Sequence, residues 1–591
     1  MSAERGENGM KMQRWLRRIV CLLLLCLLPL FGEIQTAAAA DTGDLSYYEQ
    51  LREQNAGQKA EHLRFIPTTK QAVIYTFGGL SRAGSVEDIL QRLADNNMRG
   101  TFFVTERELQ RNADTIAKIA SSGQELAIGL RYTEEAGYAD YCAQIDRIRS
   151  ALRDRFGADS SVVRQMSGPL DAPELQEAVS AMGCMLLGQG LNVVQSKHKE
   201  AAAVSDVMPA IFGKWTTALG RGEIVYIRTD FYTNPTLAGD MMLAVKEEKI
   251  DNVAYRSYDD SPETNPQNDS AYTVAAVGDV LADTEKLYTY PIPDLSVLPK
   301  ELQPSYHAFT INENNFDQEF FKRYIGAPLV DESDRMLGFS SREMKQADKS
   351  GIVKTVTDST VFLTFDDWGN DDSINKLLYV LRKHQVPATF FIITWNMPNN
   401  PNLLRAIAAD GHEIGSHTNG HKAMAVRDAK DHQVPVMKDA DYAADVTTAY
   451  EKLAGTVGDV VVDGRYSLTR LMRPPTLAVS RSGAKAILEA GYTFMVSGYA
   501  STEDYEAPTV QSLVGAMQEG IYTARGEVRQ GSIIVMHMSG QANKTARALD
   551  LLLTANEQRS ENDPRKFKVG RLADYLNEGY SQMLKSKQEE K

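Results

Sequence analysis

The stretch "TFDDWGNDDS" (364–373) has the same frame as "TFGGLSRAGS" (76–85): threonine, phenylalanine, two small or acidic residues, then a bulky apolar one. Thr76 and Thr364 lie 288 positions apart, and the same spacing links "GTFFV" (100–104) to "ATFFI" (388–392) and Gly123-Gln124-Glu125 to Gly411-His412-Glu413. In the second copy "VFLTF" (361–365) is a short β-rich apolar run and "INKLLYVLRKH" (374–384) has helical spacing. "ATFFII" (388–393) is the next strand, and "NPNLLRAIAADG" (400–411) a helix that stops at glycine. "AVIYTF", "VEDILQRLADN", "GTFFV" and "ADTIAKIASSG" repeat that order in the first copy. Further along, "LMRPPT" (471–476) echoes "QMSGPL" (165–170), and "GSIIVMHMSG" (531–540) echoes "GEIVYIRTDF" (222–231).

Strands alternating with helices predict α/β units on a parallel sheet, open or closed into a barrel. A β/α barrel takes roughly 200–250 residues, which suits the segment 351–580. The segment 65–250 reads as a shorter version of the same fold, preceded by an extension over 41–64. Between the copies, "DDSPETNPQND" (259–269) and "YTYPIPDLSVLPKELQPSY" (288–306) are rich in proline and polar residues. Residues 251–350 are therefore expected to be connecting material with little core of their own, and 581–591 a polar tail.

The first forty residues differ from the rest. Arg14, Arg17 and Arg18 precede "IVCLLLLCLLPLF", and "AAAAD" follows. A basic start, a short apolar run and a small-residue stop describe a secretory signal cut after Ala40, too short to remain as a membrane anchor. Export of the mature protein follows. Removing 1–40 takes five basic and three acidic side chains and moves the formal charge from −14 to −16. A surface this acidic repels phosphate backbones and argues against nucleic acid as a partner. Of the four cysteines, Cys142 and Cys184 would remain, either as a disulfide or as two buried thiols.

The chemistry concentrates in the second copy. Its first strand ends in Asp366-Asp367, and at a strand's carboxyl end the chain curls into a loop, where both carboxylates can reach the rim that barrel enzymes use. In "GSHTNGH", His417 and His421 stand four apart; on a helix both would share one face and could hold one metal ion. Two imidazoles and one carboxylate make a three-ligand set with a position open to water. His537 ends the buried run "GSIIVMH".

The ordered set "TFDDW", "HTNGH", "RPPT" and "IIVMH" resembles the NodB-type polysaccharide deacetylases, a family of metal-dependent carbohydrate esterases, over roughly residues 355–580. The resemblance implies tandem distorted (β/α) barrels and one divalent ion on Asp367, His417 and His421. Zinc is the first choice; cobalt, nickel or manganese are alternatives. It implies Asp366 as catalytic base, His537 as general acid, Arg473 as the group that orients the base, and the backbone near Thr476 as part of an oxyanion site. The family's acidic-aromatic pair, which tunes the acid histidine, corresponds to Asp504-Tyr505. Trp368 stands where the family usually has glycine and either narrows the site or offers a sugar a stacking face.

Without gaps, Gly78, Gly79, Gly129 and Thr133 fall opposite Asp366, Asp367, His417 and His421; Arg228 falls opposite His537 and Ser167 opposite Arg473. Glycine coordinates nothing, so the first copy is expected to keep the fold without catalysis, leaving open substrate binding, packing against the active copy, or a structural remnant. The function expected is removal of N-acetyl groups from an amino-sugar polymer, peptidoglycan or a chitin-like glycan. The competing readings are an esterase of O-acetyl xylan and a carbohydrate-binding protein without activity.

Overall fold

The computed structural model describes residues 45–213, 216–256, 270–328, 336–506 and 509–589. The signal expected over 1–40 lies outside them. Among the described residues no helix is long and apolar enough to cross a membrane.

The chain divides into two compact units, one running to Asp251 and taking in Tyr272–Thr289, the other comprising Asn252–Ala271 and everything from Tyr290. In the first unit the strands are β1 (Ala72–Gly78), β2 (Thr101–Val104), β3 (Glu125–Leu130), β4 (Val162–Gln165), β5 (Met185–Leu186), β6 (Leu191–Asn192), β7 (Ile224–Arg228) and β8 (Thr273–Ala275). They form one parallel sheet in the order β5-β4-β3-β2-β1-β7-β6, with β8 also on β1.

The second unit contributes β9 (Tyr324–Ile325), β10 (Met336–Leu337), β11 (Thr360–Asp367), β12 (Thr389–Ile392), β13 (Glu413–Ser416), a hairpin β14 (Ala425–Arg427) and β15 (Gln433–Pro435), and a hairpin β16 (Val461–Val462) and β17 (Arg465–Tyr466). The series continues through β18 (Leu468–Met472), β19 (Val479–Ser480), β20 (Phe494–Val496), β21 (Ala500–Ser501), β22 (Ile533–His537) and β23 (Lys568–Val569). Its main sheet runs β21-β22-β11-β12-β13-β18-β20-β9, with β23 on β11. Read from β6 to β5, the first sheet has the same strand sequence as the second from β21 to β20. Both sheets curl into half-barrels, the tandem distorted (β/α) barrels that the repeat implied.

Period-two burial explains how β11 positions the site. Val361, Leu363 and Phe365 lie in the large core cluster shared with the helices, whereas Phe362 packs with Phe391, Leu471, Phe494 and Ile533 in a second cluster. Each such side chain, fully buried, contributes about 1.5–3 kcal/mol. By the same parity Thr364 and Asp366 share the side of Phe362. The helix Asp371–Lys383 returns the chain from that rim; it buries Ile374, Leu377, Leu378 and Leu381 and carries Asp371 and Asp372 in its first turn and Arg382 and Lys383 in its last, matching the helix dipole at both ends.

Residues 251–350 differ from the connecting material expected. Ala72 pairs with Thr273 as Thr360 pairs with Lys568, so the first copy finishes its sheet beyond 250, at β8. Residues from Tyr290 belong to the second unit. The helix Phe316–Arg323 buries Phe316, Phe320 and Phe321, spacings that put three aromatics on one face, and β9 then extends the sheet beside β20. Proline content concealed this core, because the prolines sit between the apolar clusters and not inside them. Tyr255 is likewise held to the second unit, its hydroxyl donating to Asp550 at 2.6 Å. Cys142 and Cys184 are both free thiols, and burial pushes their pKa values up to about 12 and about 11, so both stay protonated.

Candidate active site

The two consecutive aspartates part company through one backbone angle. Asp367 has φ of 84°, in the left-handed region that non-glycine residues rarely enter. This turn takes its carboxylate out of the strand's alternation, while Asp366 stays on the inward side, buried at 3% exposure. Gly79, opposite Asp367, has φ of 77°. The bend therefore belongs to the fold, and the active copy accommodates it with an aspartate, one of the few side chains that tolerate it.

Asp366 receives Arg473 Nη1 on Oδ1 at 2.6 Å. That guanidinium is fully buried and leaves no group idle. Nη1 also donates to Thr364 Oγ1 (2.8 Å), Nε to the Val496 carbonyl (2.9 Å) and Nη2 to the Ser497 carbonyl (2.9 Å), and its plane lies 4.3 Å from the Phe391 ring centre. Burial pushes Arg473 below its usual pKa and the adjacent Asp366 opposes the shift. Such a cation, fixed from four directions, can only hold the carboxylate in one orientation.

Among the described residues Asp367, His417 and His421 form a metal-competent cluster, with one ligand atom from each inside a 4.8 Å sphere of mutual separation. Asp367 Oδ1 lies 3.8 Å from His417 Nε2 and 3.5 Å from His421 Nε2. Ligands about 2.0–2.2 Å from one ion stand roughly 3.3 Å apart, so the spacing fits. The chemistry fits too. His417 Nδ1 lies 2.8 Å from the Arg473 carbonyl, which only accepts, so Nδ1 carries the proton and Nε2 presents its lone pair. Burial lowers the His417 pKa and favours that neutral ligand form.

The histidines are brought together differently from the helix considered above. β13 ends at Ser416, and 417–421 form a turn in which Thr418 (φ 67°) and His421 (φ 51°) are left-handed. Asp445, on the helix Asp439–Val457, fastens this turn. Its Oδ2 accepts the Asn419 N–H at 3.0 Å and its Oδ1 the Gly420 N–H at 2.9 Å. Lys452 Nζ, further along the same helix, donates to Asn419 Oδ1 at 2.8 Å. Spacing alone gave no sign of Asp445, one acid among several in "DADYAAD". Asp445→Asn keeps the shape but offers one acceptor where two N–H groups need one each. We expect its metal affinity to fall about tenfold, as for other supports behind metal ligands, measured by competition with a chromogenic chelator; unchanged affinity would mean the turn is held without it.

His537 pairs across the sheet with Asp366. Its Nδ1 donates to Asp504 Oδ1 at 2.7 Å, and its backbone N–H to Asp504 Oδ2 at 3.0 Å. Thr545, fully buried, donates its hydroxyl to the same Oδ2 at 2.6 Å. Tyr505 meets the imidazole edge-on at 4.8 Å. Asp504 and Tyr505 thus both touch His537; Thr545 was missed, having only a helix start as its signal. Burial disfavours the His537 imidazolium, but Asp504, with Asp366 and Asp367 nearby, outweighs it and raises the pKa.

Thr476 follows Arg473 in a turn where it and Leu477 have φ of 58° and 59°. Leu477 N–H on the Pro474 carbonyl closes the turn at 3.0 Å; Thr476 itself is exposed, and its N–H is not the donor of that bond. Trp368 packs half-buried against the large core, so much of its indole faces protein.

In the first unit the sheet register corrects one assignment. Ser416 pairs with Met472, and Ile128, its counterpart, pairs with Val163. The residue in Arg473's place is therefore Arg164 and not Ser167. Arg164 is also buried and donates to the Gly188 carbonyl at 2.6 Å, the counterpart of Ser497. Ser167 lies three residues beyond Arg164, because matching "LMRPPT" to "QMSGPL" lined up Pro475 with Pro169 and not the strands before them. Where Asp366 would stand, Arg164 lies 4.0 Å from the ring centre of Tyr226. A Cβ on Gly78 would meet Met166 Cε and, at 2.8 Å, the Tyr226 hydroxyl; one on Gly79 would meet the Asp230 carboxylate. The lost pocket is filled, not vacant.

A half-barrel with a His₂–carboxylate cluster at the carboxyl rim, flanked by an Arg-bound acid and an Asp-bound histidine, defines a hydrolase-like architecture. The polysaccharide deacetylase family model matches this chain in two segments, residues 66–183 and 353–495, one in each unit. The chain is 29% identical over 216 residues to a chitooligosaccharide deacetylase of Bradyrhizobium sp., covering 34% of this chain and 85% of that protein. It is 27% identical over 201 residues to a peptidoglycan-N-acetylglucosamine deacetylase of Bacillus cereus, covering 33% and 79%. A crystal structure of a peptidoglycan N-acetylglucosamine deacetylase in complex with a hydroxamate aligns at 22% identity and a TM-score of 0.30, over 37% of this chain and 89% of that one.

Proposed function

We propose that the second unit is a metal-dependent deacetylase that hydrolyses N-acetyl groups of an amino-sugar polymer, of the peptidoglycan or chitin-like kind, releasing acetate and a free amine. The observation that carries this reading is the division of the aspartate pair: Asp366 bound inward to Arg473, Asp367 turned to the imidazoles. Asp367, His417 and His421 would hold the divalent ion, zinc before cobalt, nickel or manganese. Such an ion supplies a Lewis acid and brings the pKa of a water towards ~7. Asp366, held by Arg473 and free of that ion, accepts the water's proton. The Thr476 N–H is available to the oxygen that gains charge. His537, kept protonated by Asp504, gives its proton to the departing amine. The signal-like start supports an exported enzyme that meets its polymer in the cell envelope or outside it.

Acetate release tests the reading. We expect acetate from N-acetyl-chitopentaose or peptidoglycan, lost on chelation and restored by zinc. Acetate from acetylxylan alone would favour the esterase, and metal-loaded protein releasing none would favour a binding protein. Because His537 must be protonated, activity should fall as pH rises through its raised pKa. Asp504→Asn removes the main pull upward, so the alkaline limb of kcat/KM should move to lower pH, with roughly tenfold less activity at neutral pH; an unmoved limb would separate Asp504 from the acid.

A further inference from the structure

A histidine is set between the helix Asp371–Lys383 and the helix Thr545–Glu557, far from the metal cluster. His384, which ends the first of these helices, has a side chain only 2% exposed. Its Nε2 lies 2.7 Å from Asp550 Oδ1 and its Nδ1 2.7 Å from Glu557 Oε1. A carboxylate oxygen only accepts, so each ring nitrogen must carry a proton, and the ring is an imidazolium. Asp550 is itself held ionised. Burial works against its charge, but His384, the Tyr255 hydroxyl (2.6 Å) and Lys383 Nζ (2.9 Å) all donate to it and keep its pKa below the usual carboxylate range.

The same two helices seat a strap of chain. Residues 252–256 and 270–271 belong to the second unit, although β8, which follows at once, belongs to the first. Tyr255 stacks on Tyr379, with ring centres 5.3 Å apart and 23° between planes, and its N–H donates to Ser270 Oγ at 2.7 Å. Asn375 Nδ2 donates to the carbonyls of Val253 (3.4 Å) and Ser270, and Arg547 Nε to that of Arg256 at 3.2 Å. The equivalent helices of the first copy, Ala83–Asp95 and Leu237–Lys249, are joined instead by Arg92 and Asp240 at 2.9 Å. A guanidinium keeps its charge at any ordinary pH; an imidazole does not.

We infer that His384 is a proton-dependent clamp: charged, it joins the two helices beneath the strap, and once neutral it releases one of its two carboxylates and loosens the strap's seat. The groups that face it decide the sign. The helix Thr545–Glu557 presents Asp550 and Glu557, and the strap presents the Tyr255 hydroxyl. On its own helix Lys383 sits on Asp550, while Arg382 is turned to Asp410. Beyond Glu557, Lys566 Nζ donates to the Glu557 carbonyl at 3.3 Å. Burial opposes the imidazolium, but the two carboxylates outweigh it and raise the pKa. A histidine raised on folding adds stability below its ordinary value of about 6.5, and that stability is lost as pH rises through the raised value. The clamp therefore closes in acid and opens in alkali. At about 1.5 Å per residue, thirteen residues of helix put it about 20 Å from the rim, and the inference is independent of the deacetylase reading.

Hydrogen exchange at the Tyr255 amide tests this in the whole protein, wild type against His384→Gln at the same pH, so that the chemical exchange rate cancels. Glutamine, like a neutral imidazole, brings no charge. At about pH 6 the wild-type amide should exchange about tenfold more slowly than the variant's, the factor that one pKa unit of coupling carries, and by about pH 9 the two should coincide. Glu557→Gln, at a half-exposed position, should move the crossover to lower pH, because it removes one of the two charges that raise the histidine. Nitrogen NMR of histidine-labelled protein reads the ring directly and should find His384 titrating above about 6.5. A ring that titrates at or below that value, an exchange ratio that does not vary with pH, or a crossover that Glu557→Gln leaves in place overturns the inference.

Discussion

Asp366→Asn should keep its metal and lose turnover by about 10³-fold, whereas His417→Ala should lose both. The asparagine preserves the shape and can still accept from Arg473 through its carbonyl oxygen, so the buried guanidinium remains partnered. What it cannot do is take a proton, and a positioned base contributes about 10²–10⁴ to such a reaction. His417 is different. Removing it leaves Asp367 and the half-exposed His421 as the only ligands of the set, and also frees the Arg473 carbonyl that fixed the imidazole's tautomer. Metal analysis of dialysed protein beside acetate release distinguishes the two. An Asp366→Asn protein that came out without zinc would place both aspartates on the ion and undo the division of labour.

The second large effect concerns the first unit. Restoring its ligands through Gly78→Asp, Gly79→Asp, Gly129→His and Thr133→His should give no second metal and should destabilise that unit by several kcal/mol. Met166, the Tyr226 hydroxyl and the Asp230 carboxylate already occupy the room. Forcing atoms into a filled interior costs about 1–3 kcal/mol per site, and the carboxylate introduced by Gly79→Asp would also face that of Asp230. Metal per chain should stay at one, and the thermal transition of the first unit should move down. A second equivalent of zinc would show that Tyr226 and Met166 swing aside without cost.

Much of this was legible from letters alone, and the reasons differ by residue. Asp366, Asp367, His417, His421, Arg473 and His537 sit at strand ends in chain order, and a repeat 288 residues away fixed the strands themselves. Asp504 came only through the resemblance, because it lies in a loop beyond β21 and reaches His537 across 33 positions of chain. The helix expected beneath His417 and His421 is a turn, since spacing of four is produced equally by a helix and by a tight loop with left-handed residues. Ser167 was paired with Arg473 because the match of "LMRPPT" to "QMSGPL" was set by Pro475 and Pro169, three residues out of step with the strands before them. Thr545 and Asp445 could not be read at all: their partners lie 41 and 25–26 positions away, a distance no local pattern spans.

Arg164 bears on what such a copy keeps. Its counterpart in the second unit donates to a carbonyl beyond the neighbouring strand as well as to an acid, and Arg164 keeps the first of those two bonds, so a buried guanidinium here has structural work without the acid. With Tyr226 and Met166 in that space, a side chain added at Gly78 alone meets a collision. The first unit's sheet is therefore closed at the very place where the second opens to its ligands.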